Sequence, residues 1–281
     1  RSLSQEDRKR STALGSFVGG TNLPIVLYPS QGHEDLSSLA QRPDAVLTPE
    51  GALQLPNSTP IIGIPVCTLT TDEITPERVA PLLDQPQTLI LLESKGANPV
   101  ADWRWGFTQL RRLGVSAPIL LRRTYETTDL DLFRLYAAAD CGSIFLDGWG
   151  NGLALEAPHI SPEEIIKTEF GILQAARLRM SKTEFISCPG CGRTLYDLQS
   201  TIAEIKAATA HLKGLKVGIM GCIVNGPGEM ADADYGYVGA APGKIDLYKG
   251  QECIKKGVPQ AQAVEHLIHL IKEGGDWKDP A

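Results

Sequence analysis

The sequence predicts two domains in tandem, an α/β domain with a (β/α) barrel-like sheet and then a small α+β domain. Three observations predict this. Short apolar runs alternate with longer mixed segments from Leu23 to Trp149. A well-capped helix and a charged stretch, Arg177–Glu184, then interrupt the alternation. Beyond them a strand, a helix, another strand, several short strands and a last helix fit within roughly a hundred residues. At 281 residues the chain is long for one domain and comfortable for two, each able to bury its own core. The boundary is expected near residue 180, giving domains 1–180 and 181–281.

In the first part the expected strands are Leu23–Leu27, Ala45–Leu47, Ile61–Val66, Thr88–Leu92, Ile119–Leu121 and Ser143–Leu146, each bounded by Pro, Gly, Asp or Thr. The segments between them carry helical spacing, as in Phe107, Leu110 and Leu113. Repeated β-then-α units imply a mostly parallel sheet, open or closed into a barrel. Ser161-Pro162-Glu163-Glu164 supplies an N-cap, a first-turn proline and a capping-box glutamate for the helix that follows. Ile165, Ile166, Phe170, Leu173 and Leu178 then run along one side of it.

The second part opens with a strand at Glu184–Ser187. Its first helix carries Leu198, Ile202, Ile205 and Leu212 on one side and ends at Gly214. A strand at Leu215–Met220 is followed by Tyr235–Val238, Ile245–Tyr248 and Glu252–Ile254, separated by glycines as in a meander. The last helix carries Val264, Leu267, Ile268 and Ile271 and stops at Gly274-Gly275.

Composition narrows the class. Hydrophobic residues make up 42% and charged residues 21%, ordinary for a globular chain. A formal net charge of -6 argues against a nucleic-acid-binding surface. No apolar run is long enough to span a bilayer, and the start has no signal-peptide pattern. Arg1 opens a polar stretch to Arg10, which reads as a chain cut from something longer, with a processed precursor as the competing explanation. Six cysteines are too few for a disulfide scaffold in a chain this long, and two stand as Cys-x-x-Cys, which suits a reducing compartment and a metal or redox site. A bacterial cytoplasm is expected ahead of a plastid.

Chemistry concentrates in the second part. Ser187-Cys188-Pro189-Gly190-Cys191-Gly192-Arg193 closes one strand and opens a helix. Cys222 ends the next strand, and Glu229 follows across Asn225-Gly226-Pro227-Gly228. Two neighbouring strand ends bring these groups together, and the Gly/Pro loops let backbone approach a bulky inorganic body. A Cys-x-x-Cys pair by itself fits a zinc knuckle, a thioredoxin-like pair or a cluster ligand. Zinc structural sites normally offer four Cys or His ligands, and a second close pair is absent here. A thioredoxin-like pair has no use for Cys222. Three thiolates and one carboxylate suit a [4Fe–4S] cube in which Glu229 leaves one iron exchangeable. Zinc, within a non-catalytic binding module, and uninvolved buried thiols remain the alternatives at this point.

The segments Ser187-Cys188-Pro189-Gly190-Cys191-Gly192-Arg193-Thr194 and Gly221-Cys222-Ile223-Val224-Asn225-Gly226-Pro227-Gly228-Glu229 closely resemble the C-terminal domain of the 4-hydroxy-3-methylbut-2-enyl diphosphate synthase family. Met230 to Val238 and Pro242 to Tyr248 extend the resemblance, which covers about residues 141–277 and is similar to the family's long form. That resemblance implies reductive ring opening of 2-C-methyl-D-erythritol 2,4-cyclodiphosphate in non-mevalonate isoprenoid synthesis, with electrons from ferredoxin or flavodoxin. It implies a [4Fe–4S] cluster held by Cys188, Cys191, Cys222 and Glu229, with Glu229 and Asn225 as catalytic residues and Asn225 beside the substrate. It also implies a sulfite-reductase-like sheet with helices on one face, preceded by an inserted barrel-like domain over 1–180. The family's substrate-binding barrel is expected upstream on the same polypeptide and absent here, so the chain is expected to hold a cluster without turning over substrate. Arg193 and Lys244 are candidates for charge balance near an anionic cluster or a diphosphate, or else ordinary cations.

Other features read as structural. Phe145-Leu146-Asp147-Gly148-Trp149-Gly150-Asn151-Gly152 is expected to be a strand-to-loop turn, with Asn151 departing from the family's aspartate. Glu93, Arg122 and Arg123 sit at strand ends, where barrel enzymes keep catalytic groups, but are read as structural in a spacer domain. Cys67, Cys141 and Cys253 read as buried small apolar residues. His33, His159 and His211 are scattered, and His266 and His269 read as a half-buried helix face. Trp103 and Trp105 are expected to anchor a helix or domain contact.

Overall fold

The computed structural model describes residues 24–279 apart from 33, 37, 59, 62, 63 and 225; the side chains of residues 60, 227 and 229 also lie outside the description. The chain divides into two compact units, Arg1–Arg179 and Met180–Ala281.

The first unit is built on one sheet of eight strands: β1 (Ile25–Pro29), β2 (Ala45–Leu47), β3 (Leu53–Gln54), β4 (Pro60–Ile61), β5 (Val66–Thr70), β6 (Leu89–Glu93), β7 (Ile119–Thr124) and β8 (Gly152–Glu156). Their spatial order is β4-β3-β2-β1-β8-β7-β6-β5. That order follows the chain cyclically, as barrel strands do, because β1 pairs in parallel with β8. Among the described residues β4 and β5 are not paired, so the ring has a gap there. All pairs from β5 round to β2 are parallel, while β2, β3 and β4 run antiparallel.

Helices α1 (Pro76–Leu83), α2 (Pro99–Arg112), α3 (Leu130–Leu146) and α4 (Pro162–Ala175) follow β5, β6, β7 and β8. Each start is written in the sequence: Thr75, Asn98, Asp129 and Ser161 accept backbone N–H groups of the first turn, and three of the four helices begin with proline. Glu164 does not close a capping box; its carboxylate pairs with Arg134 and Lys167 instead. Two apolar layers result. The strands' outer side chains pack with the helices around Trp103, Phe133 and Phe170. The inner ones, among them Ile25, Leu27, Leu89, Leu91 and Leu120, form a separate cluster against which Ile61 and Val66 of the two edge strands also pack.

Other expectations change as well, and the helix expected to end at Gly214 ends at Thr209. Ser143–Leu146 is not a strand but the last turn of α3, and the strand is Gly152–Glu156. The run Ile61–Val66 is divided between β4 and β5. The glycine-rich segment therefore links a helix to a strand, and Asn151 is structural: its Oδ1 accepts from Ile119 N at 3.0 Å. Leu23 and His33 lie outside the described residues.

The second unit has a five-stranded sheet of order β13-β12-β11-β10-β9. β9 (Glu184–Ser187), β10 (Lys216–Met220) and β11 (Tyr235–Ala241) run parallel; β12 (Lys244–Lys249) and β13 (Glu252–Pro259) continue as antiparallel hairpins. Helices α5 (Leu198–Thr209) and α7 (Gln260–Glu273) cover one face, where Ile205, Leu267 and Ile271 meet Val217, Ile219, Tyr235 and Tyr237. The other face holds a smaller cluster of Met220, Met230, Ala233, Val238 and Tyr248. Between β10 and β11 lies a short helical turn, α6 (Gly226–Glu229). No helix among the described residues is long and apolar enough to cross a membrane.

Candidate functional site

The site forms at the carboxyl ends of β9 and β10. The two strands are parallel with Ile219 opposite Ser187, so the residues that follow, Cys188 and Gly221-Cys222, leave the sheet side by side. The backbone N–H of Gly221 donates to Cys188 Sγ at 3.2 Å. Gly190, with φ of 77°, bends the chain between the first two cysteines in a conformation that favours glycine. Thr194 then fixes the second: its hydroxyl accepts from Cys191 N at 3.0 Å, and its own N–H donates to Cys191 O at 2.9 Å. Leu195 N donates to Gly221 O at 3.1 Å and the Tyr196 hydroxyl to Met220 O at 2.9 Å, which ties the cysteine loop to the end of β10.

Cys188, Cys191 and Cys222 line one cavity of about 130 Å³, with Pro189, Arg193 and Gly226 at its wall. The Arg193 backbone N–H, then its guanidinium, hold the exposed Cys191 thiol below its ordinary pKa. Arg193 also lies within electrostatic reach of Cys222. Among the described residues no three His, Cys, Asp or Glu side chains stand as a ready-made site for a single ion. The three cysteines share one cavity.

The remaining expected residues fall as follows. Glu229 closes the α6 turn at the end of β10, and Met230 anchors that turn by packing over Gly218 and Gly236, where a Cβ would come within 2.8 and 2.4 Å of its side chain. The Glu229 side chain and Asn225 lie outside the described residues. Lys244 opens β12 and is paired with Ala241, at the same end of the sheet as Cys222, but it does not line the cavity. His269 stands 3.9 Å from Glu273, and His211 contacts Lys278 O and Trp277. Cys141 is buried, whereas Cys67 and Cys253 are half-buried. Trp103 is buried and donates to Leu92 O at 2.9 Å, while Trp105 is exposed. Sequence reasoning did not single out Thr194, Gly221 or Tyr196 as parts of the site. The available signal was Gly221, a residue without a side chain beside an expected ligand.

Together these elements make an α+β domain in which a parallel strand pair ends in a three-cysteine cavity. Residues 184–273 match the model of the GcpE protein C-terminal domain. Most of the chain is similar to enzymes named 4-hydroxy-3-methylbut-2-en-1-yl diphosphate synthase (flavodoxin). That of Porphyromonas gingivalis is 50% identical over 272 residues, 97% of this chain and 47% of the relative. That of Parabacteroides distasonis is 53% identical over 209 residues, 74% and 34% respectively, and that of Chlorobaculum tepidum 52% over 191 residues, 68% and 26%. The chain thus spans about half or less of the length of the relatives it matches.

Proposed function

We propose that this chain is the cluster-bearing part of a 4-hydroxy-3-methylbut-2-en-1-yl diphosphate synthase. In this reading residues 181–281 hold a [4Fe–4S] cluster through Cys188, Cys191, Cys222 and Glu229, on a sulfite-reductase-like sheet, and residues 1–180 are the inserted barrel-like domain. The observation that carries it is the convergence of three cysteines on one cavity. The donor set agrees with the group: thiolates are the soft ligands iron–sulfur clusters take, and a carboxylate is a harder, more exchangeable one. When bound, such a cluster supplies electrons and an iron with a position open to a substrate oxygen.

The chain's own residues then have defined tasks. The Gly221 and Arg193 N–H groups stabilise negative charge on sulfur. Arg193 balances the charge of an anionic cluster or of a diphosphate brought to it, and Lys244, at the same sheet end, is a second cation for that role. Asn225 orients the substrate. The reaction served is reductive opening of 2-C-methyl-D-erythritol 2,4-cyclodiphosphate, with two electrons from flavodoxin, the donor in the relatives' names, or from ferredoxin. The diphosphate grip belongs to a substrate barrel upstream on the same polypeptide, so this chain alone should not turn over substrate.

Anaerobic reconstitution with iron and sulfide tests the reading. The protein should turn brown and bleach in air, and Cys188→Ser, Cys191→Ser and Cys222→Ser should each fail to hold the colour. A colourless protein that takes up zinc instead would make this a zinc-stabilised binding module.

A further inference from the structure

The inner face of the eight-stranded sheet changes character along the strands. Its first two layers are apolar, from Ile25, Val66, Leu89 and Leu120 to Leu27, Leu91 and Ala154. By strand alternation the next inward positions are Thr68 on β5, Glu93 on β6, Arg122 on β7 and Glu156 on β8. Arg122 Nε and Nη2 reach Glu156 Oε1 at 3.0 and 2.8 Å, and Nη1 donates to Thr68 Oγ1 at 3.3 Å. The pair is mostly shielded, with side-chain exposures of 24% and 18%. These groups form one wall of a cavity of about 270 Å³ at the strands' carboxyl ends, and Pro29, Leu47 and Val66 supply apolar wall.

Stability does not require this arrangement. An ion pair withdrawn from water adds little or nothing over apolar residues of the same volume, and the two lower layers are already apolar. The carboxyl end of such a sheet is where barrel proteins bind and transform ligands. The lining also limits what the ligand can be. An anion would meet the Glu156 carboxylate and a cation the Arg122 guanidinium. The two together offer a neutral ligand both kinds of partner, since the guanidinium has more N–H donors than these contacts use and Glu156 Oε2 takes no part in them. The Thr68 hydroxyl adds a donor–acceptor, and the apolar wall accommodates C–H faces. The volume lies below the roughly 300–1,000 Å³ that holds drug-sized ligands. From these features we infer that the mouth of the first domain is a binding site for a small uncharged polyol or sugar, recognised by Arg122, Glu156 and Thr68.

Saturation-transfer NMR on the 281-residue chain tests this, with D-glucose, D-ribose, glycerol and inorganic phosphate offered separately at about 10 mM, high enough to reveal millimolar dissociation constants. At least one of the three hydroxylated probes should receive saturation and phosphate none. Arg122→Gln should weaken that binding about tenfold or more. Thr68→Val, which keeps the ion pair and the volume, should weaken it about three- to tenfold and guards against a folding artefact. Silence from all three hydroxylated probes, binding of phosphate alone, or a polyol signal unchanged in both variants would overturn the inference. The readout needs neither iron nor turnover, so its failure leaves the cluster reading standing.

Discussion

The backbone N–H of Gly221 points at the sulfur of Cys188, 3.2 Å away, and the register of β9 against β10 puts it there. In the proposed reading, an N–H directed at a cluster-ligating sulfur tunes the potential of the cluster. A main-chain donor is out of reach of ordinary mutagenesis, but the space beside it is not.

A Cβ added at Gly221 would stand 2.8 Å from Thr194 Oγ1 and 2.9 Å from its Cγ2. Gly221→Ala should therefore displace the Thr194 turn and the Cys191 it holds. We expect iron retention after reconstitution to fall several-fold while far-ultraviolet circular dichroism stays native; unchanged iron content would show that the loop yields freely.

Thr194→Val removes the hydroxyl that accepts from Cys191 N. The expected loss is about 1 kcal/mol, the usual worth of such a cap. It should appear in the melting temperature of the iron-free chain and be largely restored by Thr194→Ser.

Glu169 is fully buried on α4; Oε1 accepts from Leu155 N at 2.8 Å, and Oε2 has no hydrogen-bond partner among the described residues. Burial pushes its pKa well above the ordinary value of 4.5, so the folded chain keeps this proton to higher pH than the unfolded one does. The unfolded chain ionises it near its ordinary pKa, so its contribution to stability is full below that pH and is lost as pH rises towards the folded pKa. Glu169→Gln should raise the melting temperature by a few degrees at pH 8, with the gain vanishing as pH falls to about 4. A gain independent of pH would contradict this.

Arg179 closes the first unit by a two-pronged pair with Asp44, a hydrogen bond to Pro24 O at 2.9 Å and a stacked contact on Phe170 at 4.8 Å. Asp44 also accepts from Val26 N at 2.8 Å. Urea denaturation should show Arg179→Ala losing about 2 kcal/mol, and Arg179→Lys, which cannot reproduce the fork, about half of that.

Strand positions flanked by turn residues were readable, as Ala45–Leu47 and Glu184–Ser187 show. So was the helix opened by Ser161, because its hydroxyl acts through the nearest backbone neighbours. Ser143–Leu146 deceived because four residues are too few to distinguish an apolar helix end from a strand. Its true context is the long α3, where Cys141, Ile144 and Phe145 face the core while Leu146 lies exposed. The cysteines' convergence was legible from spacing and motif. The contact of Gly221 N–H with Cys188 was not, since it depends on a register between strands that no local pattern encodes.

The most direct test is Mössbauer spectroscopy of the chain reconstituted anaerobically with enriched iron, alongside iron and sulfide analysis. The account predicts about four irons and four sulfides per chain, with one iron distinguishable from three thiolate-bound ones and made equivalent to them by Glu229→Cys. Zinc in place of iron, or four equivalent irons before any substitution, would contradict it.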